Sequence, residues 1–179
     1  MRRLSLSKQM TLGAMVTALA VLCLYATAVL PAGSVPLYFL SSFVIYVLVC
    51  EGAYTAALVS FLSSAVLAFF MLPNKVPVFA YIVLFGHFGI FRTGLQNRFR
   101  GKLMPAFLKL LYCDAFAGVG IYLALYVFDI NLSAISVMQL PVWALAVLSQ
   151  LAFLFYDVLY ALSAMVYETR FRRIIVPRR

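Results

Sequence analysis

Apolar residues run along this chain in six stretches, at 10–30, 36–49, 53–72, 76–91, 105–128 and 140–167. The breaks between them carry turn chemistry. PAGSVP at 31–36 holds two prolines and a glycine, and LPNKVP at 72–77 holds two prolines and an asparagine. RTGLQNRFRGK at 92–102 is polar and basic, and DINLS at 129–133 is polar. A stretch of about 20 apolar residues is what a helix needs to cross the hydrocarbon core of a bilayer. The pattern therefore predicts an all-α, polytopic membrane protein.

One break is weak: only Glu51-Gly52 separates the second stretch from the third. An unbroken helix over 36–72 would be ~55 Å long at ~1.5 Å per residue. The hydrocarbon core is ~30 Å thick. Such a helix would push apolar ends into water, so a tight turn at Glu51-Gly52 is expected, with two crossings around it. The second crossing is then short. The carboxylate of Glu51 is expected at the interface, where it can stay wet.

The basic residues test that count independently. Of the 14 Lys and Arg residues, six crossings put Arg2, Arg3, Lys8, the cluster from Arg92 to Lys109 and the five C-terminal arginines on one side, leaving Lys75 alone on the other. Excess positive charge marks the cytoplasmic side. Five crossings would move the Arg92–Lys109 cluster outside and weaken the bias. The expected architecture is a compact six-transmembrane-helix bundle, one membrane domain over 1–179, with both termini cytoplasmic.

Composition agrees. The chain has 179 residues, 66% hydrophobic and 11% charged, against about 25% charged in soluble domains. The net charge of +9 lies in three clusters separated by long apolar runs. That suits anionic lipids at the cytoplasmic face, at roughly 1 kcal/mol per basic residue near headgroups, and not nucleic acid. A basic start followed by an apolar run and Ala26-Thr27-Ala28 has the outline of a cleavable signal peptide. The 10–30 stretch is long enough to span, however, and its small-residue face suits a retained helix. Cys23, Cys50 and Cys113 are far apart in apolar sequence and offer neither metal spacing nor a disulfide framework.

Small residues let membrane helices approach closely. In the first stretch Gly13, Thr17, Ala20 and Thr27 share a side, with Ala14 and Ala18 forming a small-xxx-small pair beside them. In the third, Ala56, Ser60, Ser64 and Ala68 form a row at four-residue steps, with Ala53 and Ala57 adjacent. These rows suit packing inside the bundle, or docking of another membrane subunit.

Polar residues within the stretches supply the remaining candidates. An intramembrane carboxylate costs about 2.5–3.5 kcal/mol on insertion scales. Asp114 and Asp157 fall at similar distances from the inner ends of their helices, and His87 and Arg92 at the inner end of the fourth. These four are expected to form one intramembrane polar cluster. If the two aspartates are neighbours, they cannot both ionise easily. On the last stretch Trp143, Gln150, Asp157 and Ala164 recur every seven residues, a stripe that suits an interhelical hydrogen bond or a ligand. Near the outer interface Tyr25, Tyr38, Asn74, Lys75, Tyr122, Tyr126, Asn131, Gln139 and Trp143 suit either an aromatic belt or an outward pocket. Lys75 would meet an anionic ligand there.

No enzyme is indicated. One histidine excludes an HExxH pair, and no GxSxG, P-loop or GxGD-like context is present. No catalytic residue, metal site or cofactor is expected.

The stretch KQMTLGAMVTALAVLCLYATAVLPAGSVPLYFL (8–40), with Ala14 and Ala18 in an AxxxA pattern, a short second crossing and a basic inner loop after the fourth, resembles the substrate-binding S components of bacterial energy-coupling-factor transporters. The likeness is nearest to their uncharacterised YybS-like relatives. It implies capture of a small molecule from outside and docking onto a transmembrane coupling subunit driven by two ATPases, in the plasma membrane. By that analogy Ala14 and Ala18 lie on the docking face, and Asn74, Lys75, Trp143 and Gln150 line the pocket. The chain is also similar in size and charge to the rod-shape scaffold MreD, which would need interfaces and no pocket.

Overall fold

A computed structural model describes residues 5–30, 34–99, 103–126, 142–167 and 169. Arg2, Arg3, Arg100, Lys102, the 129–133 break, Asn131, Gln139 and the C-terminal arginines lie outside the described residues, as does the Trp143 side chain. The described chain is helical, without strands: α1 (Leu6–Val29), α2 (Ser34–Cys50), α3 (Tyr54–Met71), α4 (Val76–Ala80), α5 (Phe88–Arg98), α6 (Leu103–Tyr126) and α7 (Val142–Val166). A wide turn, Tyr81–Phe85, joins α4 to α5, and Val76–Arg98 counts as one candidate span. Among the described residues, five helical spans are long and apolar enough to cross a membrane, and α2 is a shorter apolar helix. At 17 residues α2 is ~26 Å long.

The Glu51-Gly52 break is a turn. Gly52 has φ 75°, the left-handed region open to glycine. Its N–H donates to the Val49 carbonyl at 3.0 Å, and the Ala53 N–H donates to the Leu48 carbonyl at 3.0 Å. This pair of bonds is the Schellman ending of a helix, and the accompanying apolar contact positions, Leu48 and Ala53, are both buried. The carboxylate departs from expectation: Glu51 is only 7% exposed, while Gly52 takes the exposed place. Gly52→Val is expected to cost about 1–2 kcal/mol, the left-handed penalty of a side chain, read as a lower melting temperature in lipid–detergent micelles.

The break at 92–102 begins later than the sequence suggests. Helix continues through Arg92 and Thr93 to Arg98. The polar residues that mark a loop in the sequence find partners within the bundle instead. Arg92 donates to the Tyr46 hydroxyl on α2 at 3.4 Å, Thr93 to its own Gly89 carbonyl at 3.1 Å, and Asn97 to the Tyr54 hydroxyl on α3 at 2.9 Å.

The helices group into two compact units, Met1–Lys109 and Leu110–Arg179. In the first, α1 packs on both α2 and α3, and α2 packs on α5 and the wide turn. The small-residue rows are its seam. Ala20, Ala57, Ser64 and Ala68 are fully buried or nearly so. The Ser60 hydroxyl donates to the Gly13 carbonyl at 3.2 Å, and a Cβ on Gly13 would sit 3.3 Å from that oxygen. Of the two readings of these rows, packing inside the bundle accounts for Gly13, Ala20, Ser60, Ser64 and Ala68.

Candidate functional site

Ala14 and Ala18 are both exposed on α1, whereas Gly13 and Ala20 are buried. Beside Ala14 a groove of about 570 Å³ runs between α1 and α3. Met10 and Val59 form apolar walls, Gly13 and Ala56 make a shallow floor, and Thr17 and Ser63 add hydroxyls. The Thr17 hydroxyl donates to the Gly13 carbonyl at 2.8 Å. A groove with small residues at its floor admits the ridge of a neighbouring helix at close range, which is how helices associate where both compete with lipid.

The outer-pocket candidates of the first unit lie at the turn after α3. Asn74 is exposed, and its Oδ1 accepts the Val76 N–H at 3.0 Å. That bond caps the start of α4 in the manner of an Asx turn. Lys75 closes the end of α3. Its Nζ donates to the Leu72 carbonyl at 2.7 Å and to the Phe69 carbonyl, and lies 4.9 Å from the Phe69 ring centre. A cation there satisfies carbonyls left over at a helix C-terminus and meets the negative end of its dipole. Both side chains thus have structural work that the sequence reading did not foresee.

In the second unit Gln150 on α7 meets Asp114 on α6. The amide Nε2 reaches the two carboxylate oxygens at 2.7 and 2.6 Å. Asp114 is exposed and Gln150 half-buried, and both lie within candidate spans. The pairing corrects the expected depths. Asp114 is level with Gln150, and Asp157 lies seven residues further along α7, ~10 Å away along the axis. Counting from helix ends misled because α7 runs further past this level than α6 does on the same side. From Gln150 to Val166 is 16 residues, and from Asp114 back to Leu103 is 11.

The four residues expected as one polar cluster divide between the units. His87 and Arg92 belong to the first, and Asp114 and Asp157 to the second. Within the first unit His87 and Arg92 have different neighbours. The His87 ring lies 5.9 Å from that of Phe61. Arg92, buried, reaches Tyr46.

The sequence reading missed the hydroxyl cluster around the wide turn. Tyr81 is fully buried, and its hydroxyl shares a 2.8 Å hydrogen bond with Ser64, which also donates to the Phe61 carbonyl at 2.9 Å. Ser42 on α2 donates to the Phe85 carbonyl. The one signal available was Gly86-His87-Phe88-Gly89, two glycines around the lone histidine inside an apolar run.

No protein-family model, curated protein or solved structure matches the chain. The site must therefore be read from its own geometry.

Proposed function

We propose that this chain is a multi-spanning membrane subunit that docks a helix of a partner protein in the α1–α3 groove, in the manner of an energy-coupling-factor S component that hands a captured small molecule to a coupling subunit. The supporting observation is the groove itself: small residues and hydroxyls at its floor, with Ala14 exposed at its edge. On this reading the chain crosses the plasma membrane six times, with both termini cytoplasmic and the basic clusters against anionic lipid. The partners are a transmembrane coupling subunit and its ATPases.

A second reading is a non-transporting scaffold of the MreD kind. Asn74, Lys75 and Gln150, three of the four expected ligand-binding residues, are already engaged by their own chain. A scaffold would use the same groove without a pocket. The two readings differ in whether a small molecule travels with the complex.

Affinity purification from the native membrane, followed by identification of bound proteins and small molecules, separates them. Ala14→Leu with Ala18→Leu is expected to lower recovery of the partner at least tenfold while leaving the melting temperature unchanged, since both side chains are exposed. Undiminished recovery would remove the groove as the docking site. The orientation is tested with an impermeant thiol reagent on intact cells. A cysteine at the exposed position Asn74 is expected to react from outside and one at the exposed Arg98 only after lysis. The reverse result would invert the topology.

A further inference from the structure

The face of α6 that carries Asp114 is open. Phe107, Leu111, Asp114, Gly118 and Tyr122 follow one another at steps of three or four residues, and all five are exposed. At ~100° per residue they share an arc of ~80° on the helix. Asp114 stands near the middle of the candidate span Met104–Leu123. Charged groups inside a membrane almost always face a bundle interior or a water-filled cavity. This one lies on an outer face. Its hydrogen-bond partner is Gln150 of α7, whose one amide nitrogen serves both carboxylate oxygens, at 2.7 and 2.6 Å. An ionised carboxylate offers about four lone-pair sites, and the amide uses two. The amide is neutral, so these bonds leave the negative charge unmatched.

Gly118 is the second mark on this face. It lies one turn beyond Asp114 on the same arc, and a Cβ there would meet nothing within 4 Å. Glycine weakens a helix interior, and no described neighbour uses the room it leaves. Small residues on a membrane helix let another backbone come close. A notch one turn from an unmatched carboxylate fits a helix that approaches at Gly118 and brings a positive side chain to Asp114. Phe107, Leu111 and Tyr122 offer apolar contact to either side.

We propose that this face of α6 docks a transmembrane helix of a partner protein that carries one arginine or lysine near its midpoint, paired with Asp114. The attraction is mutual, because a basic residue at mid-span is as poorly solvated as Asp114 and pairing relieves both. Gln150 holds the carboxylate in place, and a guanidinium can meet its remaining lone pairs with two parallel N–H bonds. The site belongs to the second unit alone and does not rest on the α1–α3 groove.

Synthetic transmembrane peptides test this with the full chain reconstituted in lipid vesicles. Association is read by energy transfer between labelled peptide and labelled protein. The probes are polyleucine helices: one uncharged, one with arginine at its centre, one with glutamate at its centre and one with arginine at an end. The central-arginine peptide is expected to associate about tenfold more tightly than the other three, or better. Asp114→Asn is expected to abolish that preference, and Asp114→Lys to transfer it to the glutamate peptide. Gly118→Leu fills the notch and leaves the carboxylate. It is expected to weaken the arginine peptide severalfold without lowering the melting temperature, since its side chain meets no neighbour, so the test stands even where Asp114→Asn fails to fold. Equal association of all four peptides would overturn the proposal, as would a preference that survives both Asp114→Asn and Gly118→Leu. Displacement of the arginine peptide by an equal concentration of dodecylguanidinium would also overturn it, assigning the carboxylate to a small lipophilic cation.

Discussion

Gly86→Val is expected to lower the stability of the protein by about 3 kcal/mol, the upper range for forcing atoms into a packed core. For a chain of this length that is a fall of roughly 6–12 °C in melting temperature. The cause is specific. A Cβ at Gly86 would lie 2.6 Å from Phe61 Cδ2 and 2.9 Å from Tyr81 Cζ. Neither ring can retreat freely. The rings of Phe61 and Tyr81 pack on each other at 5.7 Å, and the Tyr81 hydroxyl is held by Ser64. Phe61→Ala in the same chain should recover part of the loss, because it clears the nearest ring, whereas Phe61→Ala alone should destabilise. Thermal unfolding in micelles reads all three. A tolerated valine would mean that Phe61 does not sit over the Gly86 backbone.

The second large effect concerns Asp114 and Gln150. Gln150→Leu removes the amide that meets both carboxylate oxygens and leaves a carboxylate within a candidate span. Interhelical hydrogen bonds in membranes average only about 0.6 kcal/mol, but an uncompensated carboxylate costs about 2.5–3.5 kcal/mol to insert. The single substitution is therefore expected to cost about 2 kcal/mol, nearer the second figure than the first. Asp114→Leu should cost less, since it leaves an amide and not a charge without its partner. The double substitution should return close to the parent, as apolar replacement of both members of a polar pair commonly does. A coupling of at least about 1 kcal/mol in this cycle is the measured signature. Simple additivity would show that the two groups act independently.

Much of the helical layout was legible because lipid leaves few solutions: long apolar runs must be helices, and breaks need turn residues. The turn at Gly52 was readable by arithmetic alone, since no single helix over 36–72 matches a bilayer. The extension of α5 to Arg98 was not. In sequence, Arg92, Thr93 and Asn97 look like a loop, and only the tyrosines of α2 and α3 show that Arg92 can be buried and Asn97 held at the surface of the bundle. The burial of Glu51 was hidden for the same reason, since local pattern does not show what folds over a turn. The small-residue rows signalled close packing correctly but not which neighbour each row meets. Ala14 and Gly13 border the same groove, but only Gly13 is buried against α3. Asp114 and Gln150 were both singled out, but their pairing depends on the stagger between two helices, which no residue in either one encodes.

The bend at Gly52 also constrains how the chain enters its membrane. Three residues separate α2 from α3, and three residues reach ~10 Å at most, a third of the hydrocarbon thickness. The end of α2 and the start of α3 therefore stay within that reach of one another at every stage of synthesis, so the short apolar helix never travels independently of its longer neighbour.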